Sequence, residues 1–326
     1  MRKMIYVLVI IAVLIVCRGC IPSLMGGVSK KKAAENLTQY LEKNFKVELE
    51  FEELDRFFNE GNMNPNMFRA VVYEKSRPEI MFVSYFDAKK ILMEDGDKPT
   101  ASYRKTIPEQ YKDAKTDYTA RELIREHFKG RLNKIDFGYF EITAFFDHKA
   151  EVGEIKSITD DFEQQLNKYK DSLVVSNTNR VVFDMEEVNG LTLKVDFDSE
   201  SDKFTGQRFG VWRKSKSYTN IEESLKPEME NYLSSNNFDL QLHGTNAFYL
   251  RQTDFAEGVW VNFLEKKGTV PNDKGRWQDP VIAFIFVYYD LNTGTVKKQF
   301  VEKRTVFDSY MDELERIGKN LPAEYH

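Results

Sequence analysis

Short runs of alternating aromatic and aliphatic residues constrain the fold of this chain more than any other sequence feature. Three such runs occupy 45–51 (FKVELEF), 68–74 (FRAVVYE) and 80–87 (IMFVSYFD), after a segment at 33–44 whose apolar residues recur at helical spacing. Side chains that alternate in this way fit a pleated strand with one buried face, and a helix can cover that face. The pattern predicts an α+β fold in which a helix packs on an antiparallel sheet.

The part of the chain that follows residue 32, called the body from this point, shows this pattern at both of its ends. Residues 40–49 (YLEKNFKVEL) resemble 232–242 (YLSSNNFDLQL), and 78–87 (PEIMFVSYFD) resemble 280–290 (PVIAFIFVYYD). The order is the same in both places: a helix, a strand, and then an aromatic hairpin that ends in Asp. We therefore predict tandem modules of a helix packed on an antiparallel sheet.

These signals divide the sequence into five parts. They are a signal peptide or membrane anchor at 1–20, a tether at 21–32, a first α+β module at 33–100, a middle α+β region at 101–215, and a last module at 216–326 that resembles the first. The middle region carries further helical and strand patterns, and it could be a degenerate third copy.

The first 20 residues are typical of an export signal. Arg2 and Lys3 precede an unbroken apolar run at 5–16 (IYVLVIIAVLIV), which is followed by Cys17 and Cys20. A run of roughly 12 apolar residues matches the core of a signal peptide and is shorter than the roughly 20 residues that cross a bilayer. The segment resembles a bacterial lipoprotein signal peptide, in which a small residue, here a glycine, precedes the cysteine that receives the lipid.

The resemblance implies lipidation at Cys20, with Cys17 as the alternative site. Two other interpretations stay open: an uncleaved anchor that extends beyond the apolar run, and a leader that is cleaved without lipidation. All three place the body outside the cytoplasm, in the periplasm or at the cell surface. The first two also hold it on the membrane through its N-terminus.

Charge and cysteine usage exclude several classes of protein. The formal net charge is −5, and the body without its basic leader is more acidic still, so it has no electrostatic reason to bind nucleic acid. The two cysteines both lie in the leader, so the body has no disulfide, no thiolate nucleophile and no cysteine-ligated metal. We expect no cofactor and no metal site.

No sequence motif marks a catalytic centre. None of the four histidines belongs to the His-Glu-x-x-His pattern of zinc proteases. Asp147 and His148 stand at a predicted strand end, where neighbouring side chains point to opposite faces and are badly placed to hydrogen-bond. The segment 196–202 lacks the glycine and the final glutamate of a calcium loop and is interpreted as a solvated acidic hairpin. Glu222 is expected in the first turn of a helix, where a carboxylate favours the helix dipole.

The sequence therefore predicts an exported, membrane-tethered, non-catalytic binding or interaction protein. Its partner would be a protein or a component of the cell envelope. The alternative is a cell-envelope hydrolase that uses a pair of carboxylates. Such a pair lies roughly 5 to 9 Å apart across a cleft, and sequence spacing does not reveal that distance.

One long connection is a candidate contact surface. Glu265 and Pro280 enclose 14 residues (KKGTVPNDKGRWQD), whereas Glu74 and Pro78 enclose three in the first copy. Loops of this length are often functional, and this one contains Arg276 and Trp277, the residue types most enriched among binding hot spots. The other interpretation is that Trp277 folds back as a plug on the sheet.

Replacing Cys20 by Ala should abolish incorporation of labelled fatty acid, because alanine offers no thiol for acylation. Metabolic labelling measures this, and membrane fractionation measures the predicted location. Label retained by Cys20→Ala and lost from Cys17→Ala would move the site to Cys17. Recovery of the full-length, untagged protein in the soluble cytosol would contradict export altogether.

Overall fold

A computed structural model describes residues 27–57, 63–94, 96–97, 105–138, 141–173, 180–200, 203–268, 280–306 and 308–325. These residues form two sheets with twelve strands, five helices of ten or more residues and one helix of four residues. The mixture of helices with largely antiparallel strands agrees with the predicted α+β class. The chain divides into two compact units, 1–120 with 172–175 and 121–171 with 176–326.

The first unit is a helix on a three-stranded antiparallel sheet. Its elements are α1 (Lys30–Asn44), β1 (Leu49–Arg56), β2 (Met67–Glu74) and β3 (Arg77–Asp87), with strand order β1-β2-β3. Helix α1 begins after Ser29, whose hydroxyl accepts a hydrogen bond from the backbone N–H of Lys32 at 3.1 Å. The helical stripe that includes Leu37 and Leu41 is buried in one core cluster with Phe68 and Val72 of β2.

Helix α2 (Ile107–His127) begins 12 residues earlier than the sequence predicts, since apolar spacing indicates a helix only over 119–129. A capping box explains the difference. The backbone N–H of Thr106 donates to Glu109 Oε2 at 2.7 Å, and the backbone N–H of Glu109 donates to Thr106 Oγ1 at 3.3 Å. These two bonds satisfy N–H groups at the helix start without any apolar periodicity.

The second unit contains one nine-stranded sheet, with strand order β12-β11-β10-β9-β8-β7-β6-β5-β4. Its strands are β4 (Lys134–Phe137), β5 (Ile142–Phe145), β6 (Arg180–Met185), β7 (Leu191–Glu200), β8 (Lys203–Val211), β9 (Leu240–Leu250), β10 (Glu257–Lys266), β11 (Val281–Asp290) and β12 (Thr295–Lys303). Neighbouring strands are antiparallel except β5 and β6, which are parallel. A parallel pair needs a crossover, and α3 (Val152–Tyr169) lies in that connection.

Two local predictions need correction here. The pattern over 135–146 predicts one strand, whereas the structure has two, β4 and β5, which pair antiparallel. The backbone N–H of Gly138 donates to the backbone oxygen of Glu141 at 2.9 Å. The predicted Asn189-Gly190 hairpin turn joins antiparallel strands as expected. Its form is a four-residue helix, α4 (Glu186–Asn189), ended by Gly190 at a φ of 68°.

Helices lie on both faces of the large sheet. On β9, Phe248 and Tyr249 are neighbours and therefore point to opposite faces. Helix α5 (Lys216–Ser235) lies on the Phe248 side, where Tyr218 packs against Trp260 with ring centroids 5.0 Å apart. Helix α6 (Tyr310–Lys319) lies on the Tyr249 side, where its apolar residues share a core cluster with Tyr249. None of the helices within the described ranges is both long enough and apolar enough to span a membrane.

A fully buried ion pair joins the end of the sheet to α6. Arg304, just after β12, contacts Glu313 of α6 through two nitrogen–oxygen pairs at 2.9 Å, and both side chains are 0% exposed. The guanidinium also donates to the backbone oxygen of Val281 at 3.0 Å. Buried charges of this kind are tolerated when both are paired and hydrogen-bonded.

Replacing Glu313 by Ala should lower the free energy of unfolding by about 3–5 kcal/mol, because the guanidinium of Arg304 would remain buried without its counter-ion. Urea denaturation measures the change. Glu315→Ala is the matched control on the same helix, since that side chain is 50% exposed and its surface pair contributes about 0–1 kcal/mol. A loss below about 1 kcal/mol for Glu313→Ala would contradict the conclusion that Glu313 is the buried counter-ion of Arg304.

Candidate functional site

A pocket of about 370 Å³ opens in the described part of the second unit, on the sheet beside α6. It lies where β8 and β9 meet. Among the described residues of these two strands, the one paired position is Gly210 opposite Tyr249. A Cβ atom at Gly210 would stand 2.5 Å from the backbone oxygen of Phe248, so this contact between strands requires glycine.

Strand alternation carries charged side chains into the pocket. Lys194 and Asp196 are two residues apart on β7 and therefore share a face. Arg180 of β6 and Arg208 of β8 are each paired directly with Asp196 in the strand register. All four side chains line the pocket, so a ladder of charges crosses three adjacent strands.

Asp196 is held between two cations. Its Oδ2 accepts a hydrogen bond from Lys194 Nζ at 2.8 Å, and its Oδ1 accepts one from Arg180 Nε. Burial works to raise the pKa of this carboxyl, but the charges and hydrogen bonds of Lys194 and Arg180 outweigh burial and lower it. The carboxylate therefore stays ionised and immobilised across the neutral pH range.

A second carboxylate, Asp198, is held in the same way beside the pocket. Arg208 donates to it, and Lys319 of α6 lies 3.7 Å from the same oxygen. The sequence interpretation of 196–202 as a solvated acidic hairpin is therefore wrong for these two aspartates, whose side chains are 17% and 25% exposed. Lys194, Asp196 and Asp198 occupy alternate positions in the sequence, and this spacing could have predicted a charged face on a strand.

Apolar groups complete the pocket wall. Two cations lie over the ring of Trp212, with the Arg180 guanidinium carbon 5.4 Å and Lys214 Nζ 5.2 Å from the ring centroid. Met311 of α6, 63% exposed, and the buried Leu314 also line the pocket. Such a mixture of aromatic, apolar and a few fixed polar groups is usual for small-molecule sites.

Glu222 does not occupy the position in helix α5 that the sequence predicts. Helix α5 begins at Lys216 after the N-cap Ser215, so Glu222 lies inside the helix and does not occupy its first turn. Glu222 Oε1 accepts from Asn246 Nδ2 at 2.7 Å, and Asn246 Oδ1 accepts from the Tyr218 hydroxyl at 2.6 Å. Tyr218 and Asn246 line the pocket, and burial raises the pKa of the Tyr218 phenol.

The charged and phenolic groups of the pocket already have fixed partners. The described lining contains no serine, threonine, histidine or cysteine that could act as a nucleophile with a neighbouring base. Asp196 is held ionised, and the phenol of Tyr249 donates to the Leu314 backbone oxygen at 2.5 Å. The groups that line the pocket are thus poised to orient a ligand.

Asp147 and His148 do hydrogen-bond, contrary to the sequence expectation. Both follow β5 in a bend, so the alternation of a strand does not apply to them. His148 Nδ1 lies 2.9 Å from Asp147 Oδ1, and His148 Nε2 lies 3.0 Å from Glu154 Oε1 in the first turn of α3. Hydrogen bonds that the ring donates to Asp147 first and then to Glu154 raise the pKa of the imidazole above its ordinary 6.5.

The remaining site residues predicted from the sequence are outside the described ranges. Cys17, Cys20, Arg276 and Trp277 all belong to segments that the structure does not describe. Their roles in lipidation and partner contact stay predictions. Over the described part of the chain, no three His, Cys, Asp or Glu side chains gather as a metal site requires.

No protein-family model matches this sequence, and no curated protein matches it.

Replacing Asp147 by Asn should lower the pKa of His148, because the strongest stabiliser of the imidazolium is removed. NMR titration of the ring protons measures this. Since the folded-state pKa is raised, the stability that His148 contributes is present below its unfolded pKa near 6.5 and is lost as pH rises through the folded-state value. Asp171→Asn, at an exposed position, is the matched charge control. An unchanged pKa of His148 in Asp147→Asn would contradict the hydrogen bond between His148 and Asp147.

Proposed function

We propose that this chain is an exported, membrane-tethered, non-catalytic binding protein whose second unit binds a small ligand. The ligand site is the pocket lined by residues of β6–β9, the segment just after β8, α5 and α6. The observation that carries the proposal is the pocket itself. It has a volume of about 370 Å³, within the range of about 300–1,000 Å³ that ligand pockets occupy.

The fixed charges of the pocket support binding in place of catalysis. A general acid or base must exchange a proton near neutral pH, whereas Asp196 has a lowered pKa between two cations. Tyr218 and Tyr249 have phenol pKa values raised by burial. Groups that keep one protonation state can recognise a ligand, and they are poor at moving protons.

The leader supports the proposed location. The apolar run at 5–16 and the cysteines after it suit export and attachment to a membrane. Under this proposal the body stands in the periplasm or at the cell surface, with the ligand pocket outside the cytoplasm. The loop with Arg276 and Trp277 is proposed as a separate contact for a protein or envelope partner.

The order of elements supports the proposed tandem modules. Helix α1 is followed by the meander β1-β2-β3, and α5 is followed by β9-β10-β11, again antiparallel and in chain order. Leu41 and Leu233 are buried at matching places near the helix ends. The two strands differ in the face that they bury, since Phe82 packs with α1 whereas Phe284 packs with α6 on the face away from α5. We propose that both segments are copies of one unit and that the second copy became part of a larger sheet.

Filling the pocket should abolish ligand binding without unfolding the protein. Thermal-shift measurements would use phenylpropionate, phenylpropanol and phenylpropylamine, which carry one apolar body with a negative, neutral or positive end. At least one probe at ten times its Kd should raise the Tm of the wild type by roughly 3 °C or more. Met311→Trp, which adds bulk at an exposed wall position, should remove that shift.

Met81→Trp is the matched control, because Met81 is an exposed methionine of the first unit. It should keep the wild-type response to every probe. Absence of a shift with all three probes, or an unchanged shift in Met311→Trp, would contradict the proposed binding function.

A further inference from the structure

The pocket carries a local excess of positive charge on an acidic protein. Its described lining includes two carboxylates, Asp196 and Glu315, against five cationic side chains. The cations are Arg180, Lys194, Arg208, Arg213 and Lys214. The whole chain has a formal net charge of −5, so this excess does not follow from composition.

Ion pairs within the protein leave part of this charge unmatched. Arg180 and Lys194 share a single carboxylate, Asp196. Arg208 pairs with Asp198, whereas Lys319, 3.7 Å from the same oxygen, also pairs with Glu315 at 2.8 Å. Two cations against one carboxylate therefore leave a net positive charge at Asp196. A bound anion would be stabilised there, because dissolved salt screens partly buried charges less than fully exposed ones.

Hydrogen-bond donors are also left over. Within the described residues, Arg180 donates from Nε to Asp196, and neither of its Nη groups has a hydrogen-bond partner. Lys194 Nζ carries three N–H donors, and over the same residues one of them is used, toward Asp196. A guanidinium with free Nη groups beside an ammonium matches the two oxygens of a carboxylate or phosphate.

The ligand needs an apolar part as well. From β6, which carries Arg180, to β9, which carries Tyr249, there are three interstrand spacings, or about 14 Å. The charged donors stand at the β6 and β7 side, while Leu314 of α6 stands at Tyr249 and Met311 lies about one helical turn before Leu314. A ligand that spans the pocket would therefore place its charged end at Arg180 and its apolar end against α6.

We propose that the pocket binds a small organic anion, a carboxylate or phosphate monoester with an apolar body. This inference rests on the proposed binding function and specifies the ligand class for the same site. The anionic group lies against Arg180 and Lys194, and Trp212 flanks it. The apolar body lies against Met311 and Leu314.

Isothermal titration with matched probes tests the ligand class. Phenylpropionate should bind the wild-type protein at least tenfold more tightly than phenylpropanol, and phenylpropylamine should be weaker still. The anion advantage should shrink as salt rises, because added ions screen the attraction. Phenyl phosphate compared with phenylpropionate separates the two head groups, and inorganic phosphate alone should bind weakly because it lacks the apolar body.

Two variants locate the anionic end. Arg180→Gln should weaken phenylpropionate at least tenfold, the loss expected for one charge-assisted hydrogen bond, and should leave phenylpropanol within about twofold. Lys214→Gln changes a side chain that is 71% exposed, so this variant should fold normally. It should also weaken phenylpropionate binding, by less than Arg180→Gln does. Lys226→Gln, exposed on α5, changes the net charge equally and should bind like the wild type.

The outcomes separate this inference from the proposed function. Phenylpropanol or phenylpropylamine bound as tightly as phenylpropionate in the wild type would overturn the anion assignment while leaving a binding pocket. Equal weakening by Arg180→Gln and Lys226→Gln would also overturn it, because the effect would then reflect net charge alone. Failure of every probe to bind would reject the proposed function itself.

Discussion

The buried ion pair between Arg304 and Glu313 is the interaction on which the candidate site depends. It fixes the first turn of α6 to the end of β12, and no water is available at 0% exposure to replace either partner. Met311, Leu314 and Glu315, which line the pocket, lie within two residues of Glu313. The bond from the Tyr249 hydroxyl to the Leu314 backbone oxygen holds the same turn against β9. One desolvated pair thus sets the wall of the pocket.

Charge pairing on the sheet face connects folding with binding. A charged side chain that is mostly removed from water needs a partner, and here the partners come from adjacent strands through the β6–β7 and β7–β8 registers. Asp196 satisfies parts of two cations and saturates neither of them. The donors that stabilise the folded sheet are therefore also the donors that face the pocket.

Local sequence patterns predicted which segments are helices and strands better than they predicted where each element begins and ends. Alternation identified the aromatic strands around Phe82 and Phe284, and helical spacing identified α1 and α6. The start of α2 was missed because the Thr106–Glu109 capping box adds no apolar periodicity. His148 was misjudged for a related reason: the strand rule was applied to a bend, where side-chain directions follow the turn.

The sequence by itself determined the class of the fold, the position of both cysteines within the first 20 residues and the acidic net charge. These properties depend on composition and on periods of two or 3.6 residues, which are local. Only the tertiary structure decided that Arg180 meets Asp196, that Arg304 meets Glu313, and that Gly210 admits the backbone of Phe248. Strand order and register arise from burying whole sheet faces at once, and many pairings are compatible with the same local pattern.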